Sequence, residues 1–195
     1  MAKTNQNVGQ IERAAQDRVV ELFKDKNGLN YEYLGNLEDQ TDNSNIIEEE
    51  VRRYLKSRSY STTLINRALD KLQNTANNYN ERLYTNNQNV YNLLRYGAKV
   101  VENVHEDTQD VFFIDWKNPE KNNFAIAEEV TIQGNREKRP DIVIYINGIA
   151  LGVLELKRST VSIGDGIRQN IVNQKKEFIQ SFFSTIQLVM AGNDT

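Results

Sequence analysis

The chain has 195 residues, 38% of them hydrophobic and 26% charged, with 24 Lys and Arg against 27 Asp and Glu for a formal net charge of −3. That length can bury a real core and favours one domain over two, while the acidic balance confines any nucleic-acid contact to a local basic surface. With no cysteine and a single histidine, disulfides, thiolate metal sites and His-rich zinc sites are excluded, which leaves hard cations held by oxygen ligands.

The opening "MAKTNQNVGQ" lacks the apolar run of a signal peptide, and no window approaches the roughly 20 apolar residues of a membrane span, so a soluble cytoplasmic protein is expected. In "QIERAAQDRVVELFK" the residues Ile11, Ala15, Val19, Leu22 and Phe23 fall on one helical stripe, closed by "KNGL". A short strand suits "NYEYLGN", and after the polar loop "EDQTDNSN" Asn45 is placed to cap a helix over "IIEEEVRRYLKSRSY". Two more helices suit "TLINRALDKLQNTA" and "NQNVYNLLRYG", the second stopped by Gly97. Between them "QNTANNYNERLYTNNQN", with seven Asn, reads as surface loop and helix ends. His105 reads as a loop or helix-end residue.

From "DVFFIDW" onward short β-rich runs take over, with "KNPEKNN" as a turn before "FAIAEEVTI". Trp116 reads as core. A helix over "SIGDGIRQNIVNQKKEFIQSFF" would keep Ile167, Ile171, Phe178 and Phe182 on one stripe, and "TIQLVMAG" reads as a last buried strand. No closing element follows, so the 195 residues read as an N-terminal piece of something longer. The expected fold is α/β: a mixed sheet flanked by helices in one domain over 1–195, mostly helical over 1–110, with the sheet core over 111–195.

The stretch "RPDIVIYINGIALGVLELK" concentrates the chemistry. Asn147-Gly148 is a strong hairpin signal between two runs rich in Ile, Val, Leu and Tyr. Alternation puts Ile142, Ile144 and Ile146 on one face with Ala150, Leu154 and Leu156, and Asp141, Val143 and Tyr145 on the other with Leu151, Val153, Glu155 and Lys157. One face would be core and the other would carry the charges. A strict two-residue turn pairs residues whose numbers sum to about 295 and sends Asp141 and Glu155 to opposite faces. A three-residue loop with Gly148 left-handed, or a bulge at Gly152, shifts the parity and gathers Asp141, Glu155 and Lys157.

Charges at the end of a buried hairpin are costly unless paired or bound to metal. The plain outcome is an ion pair of Lys157 with Asp141 or Glu155 at the sheet rim. The alternative is chemical: two converging carboxylates offer the oxygen ligands that Mg2+ prefers, and a nearby lysine can orient an attacking water and stabilise charge on a phosphate. That combination suits phosphodiester hydrolysis.

Those residues resemble a known motif. "RPD", followed after thirteen intervening residues by "ELK", resembles the PD-(D/E)xK nuclease motif. The longer string "RPDIVIYINGIALGVLELKRS" with "QNIVNQ" downstream resembles the nuclease domain at the N-terminus of the motor (R) subunit of type I restriction enzymes. "IERAAQDRVVELF", "NNFAIAEEVTIQG" and "IQLVMAGND" occur in the order that family shows, and the likeness is good over 124–195 and loose over the first 110 residues.

The resemblance implies a restriction-endonuclease-like core, with Asp141 and Glu155 as metal-binding carboxylates and Lys157 as the catalytic lysine. It implies Gln169 as a supporting glutamine on the following helix, where Asn173 stands in the place of a frequent tyrosine. It further implies Mg2+, cleavage of double-stranded DNA, and partner methyltransferase and specificity subunits. ATP would be used by a translocase elsewhere in the full-length subunit, since no G-x-x-x-x-G-K-[ST] occurs in these residues. Related nucleases often add a carboxylate from an early helix, for which Glu12 is the candidate, although a solvated helix glutamate is the simpler reading. One of Glu128 and Glu129 should point toward the site and the other to solvent. Arg139, Arg158 and Arg168 flank the hairpin as candidate phosphate contacts. Two other readings stay open: a repair or junction-resolving nuclease of the same superfamily, and a nuclease-like docking module without activity.

Overall fold

A computed structural model describes residues 3–78, 80–103 and 107–193, with side chains from residue 13 onward; Ile11, Glu12 and His105 therefore lie outside the described side chains. The α/β architecture is observed. Helix α1 (Lys3–Lys24) leads into strand β1 (Glu32–Asn36), three helices follow as α2 (Glu48–Ser57), α3 (Thr62–Ala76) and α4 (Leu83–Tyr96), and a small ribbon pairs β2 (Ala98–Val100) with β3 (Gln109–Val111). The remaining elements are β4 (Phe124–Glu128), β5 (Ile142–Ile146), β6 (Ile149–Lys157), α5 (Ile163–Asn173) and β7 (Leu188–Asn193). The main sheet has the order β1-β4-β5-β6-β7, antiparallel from β4 to β6 and parallel at both outer pairs.

The helical part builds one core from Val51, Leu55, Leu69, Leu72, Val90 and Leu94, residues at helical spacing on α2, α3 and α4. Helix α3 starts where the Ser61 hydroxyl accepts from the Leu64 amide (3.2 Å), and α4 stops at Gly97, whose φ of +82° suits glycine. Asn45 does not cap α2. Ile47 holds that position without a side-chain bond, and Glu48, Glu49 and Glu50 favour the helix start electrostatically instead. The Asn45 amide is buried and donates to Ser184 Oγ (3.0 Å) and the Ser181 carbonyl (3.3 Å), a long-range contact invisible to local capping rules.

Both faces of the main sheet are covered, which corrects the expectation of one core face and one charged face. Val143, Tyr145, Ala150 and Val153 pack with Ile179, Phe182, Phe183 and Ile186, while Ile142 and Leu156 pack beneath Val20 of α1. Of the expected α1 stripe Ala15 is buried, Val19 and Phe23 are half-buried and Leu22 is exposed.

Four further expectations change in the second half. Of "DVFFIDW" only Asp110 and Val111 are strand, as the end of β3, which pairs with β2 outside the main sheet, whereas β1 from the helical half joins that sheet. Trp116 is not core, being 47% exposed. Helix α5 ends at Asn173, and Ile163, Ile167 and Ile171 form an exposed stripe while a 3-10 turn over Gln180–Ser184 carries Phe182 and Phe183 inward. That turn is held by Asn87, whose amide donates to the carbonyls of Phe183 (3.2 Å), Ser184 (3.1 Å) and Ile186 (2.7 Å). The Asn-rich tract is thus partly structural, and Asn86 is buried as well. Strand β7 is a sheet edge with Leu188 and Val189 exposed.

Candidate active site

The hairpin turn is the two-residue Asn147-Gly148 form, with φ of +52° and +84°. Near it the pairs are Ile146 with Ile149 and Tyr145 with Ala150; beyond it they are Ile144 with Gly152, Val143 with Val153 and Ile142 with Leu154. Leu151 is the extra residue. The bulge beside Gly152 therefore shifts the parity, and the loop length does not. It also exchanges the expected faces of Ala150 and Leu151: Ala150 lies with Tyr145 and Val153, and Leu151 packs against the helical core. Continued by one residue, the shifted register sets Asp141 opposite Glu155.

The three charged residues are brought together. Asp141 Oδ2 accepts from the Leu156 amide (2.6 Å), which ties the start of β5 to the end of β6. Lys157 Nζ lies 2.7 Å from Glu155 Oε1, so the ion-pair reading of this rim is itself realised. Glu155 is only 1% exposed, and its Oε2 has no hydrogen-bond partner among the described residues. Burial pushes its carboxyl up to about 7, the Asp141 charge adds to this, and Lys157 opposes it. A buried acid with an unused lone-pair face beside a second acid is expensive for folding alone.

A cavity of about 250 Å³ opens on Asp141 and Lys157 and is lined also by Arg13, Gln16, Glu129 and Arg139. The open choice between the two glutamates resolves by backbone conformation. Glu129 has φ +52°, which ends β4 and turns its side chain to the cavity, where Arg139 Nε lies 2.8 Å from Oε2. Glu128 does not face solvent as expected but is buried beneath α1, accepting from Gln16 Nε2 (2.9 Å), Arg13 (3.0 Å) and the Tyr33 hydroxyl. This network docks α1 on the sheet. Sequence reading missed Arg13 and Gln16 here, because only the packing of α1 across β4 reveals their targets. Of the three flanking arginines Arg139 lines the cavity, while Arg168 pairs with Asp165 on the outer side of α5.

Helix α5 meets the strand end at Gly166, where an added Cβ would lie 3.1 Å from Ala191 Cβ, 3.5 Å from Lys157 Cγ and 3.7 Å from Glu155 Cγ. One turn on, Gln169 is half-buried and Asn170 is buried, and a further turn brings buried Asn173 to the same face. Asn170 donates to the Met190 carbonyl (3.0 Å), but the Oδ1 atoms of Asn170 and Asn173 lack hydrogen-bond partners among the described residues. The helix end of the site thus adds two asparagines to the expected Gln169. Their signal in the sequence was only their i, i+3 spacing on α5, one turn beyond Gly166.

The family model for the type I restriction enzyme R protein N terminus matches residues 10–195. The chain belongs to this family. A type I restriction enzyme endonuclease subunit of Staphylococcus saprophyticus is 26% identical over 168 residues, covering 75% of this chain and 18% of the relative. Another, from Staphylococcus aureus, is 30% identical over 90 residues, covering 45% of this chain and 10% of the relative. The chain thus spans less than a fifth of the length of these relatives.

Among the described residues no group of three or more His, Asp or Glu side chains is gathered to hold a metal ion. The acids here are a pair, with Glu129 turned to Arg139. A pair of hard oxygen donors, one with an unpartnered buried oxygen, fits a cation such as Mg2+ that keeps several waters. Also among the described residues, no helix is long and apolar enough to cross a membrane.

Proposed function

We propose that this chain is the magnesium-dependent endonuclease part of a type I restriction enzyme R subunit and hydrolyses phosphodiester bonds of double-stranded DNA by PD-(D/E)xK chemistry. The observation that carries the reading is the bulge at Leu151, which turns Asp141 toward Glu155, a buried acid whose Oε2 has no hydrogen-bond partner among the described residues. Asp141 and Glu155 would hold the ion. When bound, Mg2+ supplies positive charge at the scissile phosphate and a more acidic water.

The chain's own side chains supply the rest. The Leu156 amide fixes Asp141, and the rigid strand pair keeps both acids in place as charge develops. Lys157 sits at the mouth with its ammonium against Glu155, so it can orient the attacking water and stabilise the extra negative charge of the transition state. Gln169 is assigned a supporting contact to phosphate or water. Arg13 and Arg139, both on the cavity wall, would contact flanking phosphates. In the full-length subunit cleavage would be coupled to ATP-driven translocation, in the cytoplasm, with methyltransferase and specificity subunits choosing the DNA.

The test uses the full-length subunit with its partner subunits on DNA carrying their recognition site. Lys157→Ala should lower strand cleavage at least about 100-fold while ATP hydrolysis and translocation stay near wild type, because the ammonium acts only in the transition state. Gln169→Ala should fall between the two. Unchanged cleavage by Lys157→Ala would end the nuclease reading, and unfolding or release of the partner subunits would favour the ion-pair reading.

A further inference from the structure

A second concave site lies at the other end of the hairpin. Asn147 at the turn donates to the Phe113 carbonyl (2.8 Å), so the segment after β3 packs against that turn, about 20 Å along the strands from Asp141 by the rise of six extended residues. There a cavity of about 350 Å³ is walled by Phe112, Trp116 and Tyr60 and rimmed by Arg58, Arg95 and Lys117.

Its aromatic rings are held and yet open. The Trp116 indole N–H donates to the Leu94 carbonyl (2.8 Å), which fixes the ring while 47% of the residue stays exposed. Phe112 is 42% exposed and lies on Gly97, where an added Cβ would approach its ring to 3.2 Å; its amide donates to the Tyr60 hydroxyl (3.2 Å). The Arg95 guanidinium stands 5.3 Å from the Trp116 ring centre. Asp115 anchors the loop by accepting from the amides of Lys117 (3.1 Å) and Asn118 (3.0 Å), and it pairs with Arg58 (3.0 Å). Three cations against one acid make this pocket basic on a chain of net charge −3.

Preformed aromatic faces beside an excess of cations over acids suit a planar, unstacked ring carried on an anionic backbone. Bases inside a duplex cannot offer their faces, whereas bases of a single strand can. We propose that this pocket binds single-stranded DNA, stacking a base on Phe112 and Trp116 with Arg95 and Lys117 on the adjoining phosphates. The choice of DNA rests on the nuclease reading, but the binding does not involve Asp141, Glu155 or Lys157, so each can fail without the other.

Trp116 is the only tryptophan of the 195 residues and reports directly on the pocket. The 195-residue chain is titrated in EDTA, where no cleavage occurs, with an oligo-dT single strand and with a duplex of equal length, following tryptophan fluorescence and the anisotropy of a labelled strand. Saturable quenching by the single strand is expected, with affinity falling as salt rises. Phe112→Ala should weaken binding about tenfold, and Lys117→Gln should lower the salt slope by about 0.7. Arg95→Gln should weaken binding severalfold, whereas Lys26→Gln, the same charge change at an exposed position away from the pocket, should change it less than twofold. Circular dichroism and thermal melting verify that each variant folds. Absence of quenching, equal quenching by the duplex, or equal weakening by Arg95→Gln and Lys26→Gln would overturn the proposal.

Discussion

The two ends of one hairpin differ in how their buried polar groups are satisfied. At the turn, Asn147 is fully buried, yet its Oδ1 accepts from the Asn123 amide (2.7 Å) and its Nδ2 donates to the Phe113 carbonyl and to Asn122 Oδ1 (2.8 Å each). Gly148 is pressed against α2, with the Ile47 amide donating to its carbonyl (2.7 Å). At the other end Glu155 Oε2, Asn170 Oδ1 and Asn173 Oδ1 lack hydrogen-bond partners among the described residues. Folding selects for the first arrangement, and the second is tolerated where something else is to be bound. Substitutions at the turn should therefore cost stability, and those at the charged end should cost chemistry.

The largest break is expected at Gly148→Ala. The new Cβ would stand 2.5 Å from Glu50 Cβ and 2.8 Å from the Ile47 carbonyl oxygen, at a φ of +84°, and should destabilise the fold by about 3 kcal/mol or more in urea unfolding. Asn147→Ala should follow at about 2–3 kcal/mol, because it leaves the Asn123 amide and the Phe113 carbonyl short of partners. A loss below about 0.5 kcal/mol for either would remove the contrast between the ends.

At the charged end the effect should reverse sign and depend on pH. The Glu155 carboxyl is raised to about 7 from an ordinary value of 4.5, so the folded state binds the extra proton between those limits. Stability should fall as pH rises from about 4.5 to about 7 and level off above, by an amount on the order of 1–2 kcal/mol, in the presence of a chelator. Glu155→Gln should flatten this profile and be the more stable protein at pH 8. Because the cation must displace that proton, magnesium affinity measured by calorimetry should rise over the same range, and Asp141→Ala should abolish it. A wild-type profile that climbs from pH 5 to 8 in chelator would contradict the buried, unsatisfied state of this acid.

The smallest expected effect tests the outer face of α5. Ile167 is 49% exposed, so Ile167→Ser should change stability by less than about 0.5 kcal/mol, whereas the stripe read from periodicity would make it a core residue and cost several times more. Thermal melting separates the two.

Much of the site was legible because its signals are local. Asn147-Gly148 dictated the turn, the β-branched runs dictated two strands, and the string around Asp141, Glu155 and Lys157 carried the family. The rest depended on contacts between distant segments. Trp116 was read as core because tryptophan is usually buried, but its loop is set by Asp115 and by the Leu94 carbonyl. Asn45 and Asn87 looked like cap and surface residues, yet their partners lie over 90 positions away in the 3-10 turn before β7.

By itself the sequence determined the helix-then-sheet order and the hairpin, since those follow from side-chain period and turn chemistry, while the grouping of Asp141, Glu155 and Lys157 came only as what the family resemblance implies. Only the tertiary structure decided that Leu151 is the bulged residue, that Glu129 and not Glu128 faces the cavity, and that α5 stops at Asn173. The physical reason is parity and packing. A strand's faces alternate every residue, so one inserted residue or one positive φ reverses everything beyond it, and which residue yields is fixed by neighbours that the local sequence does not contain.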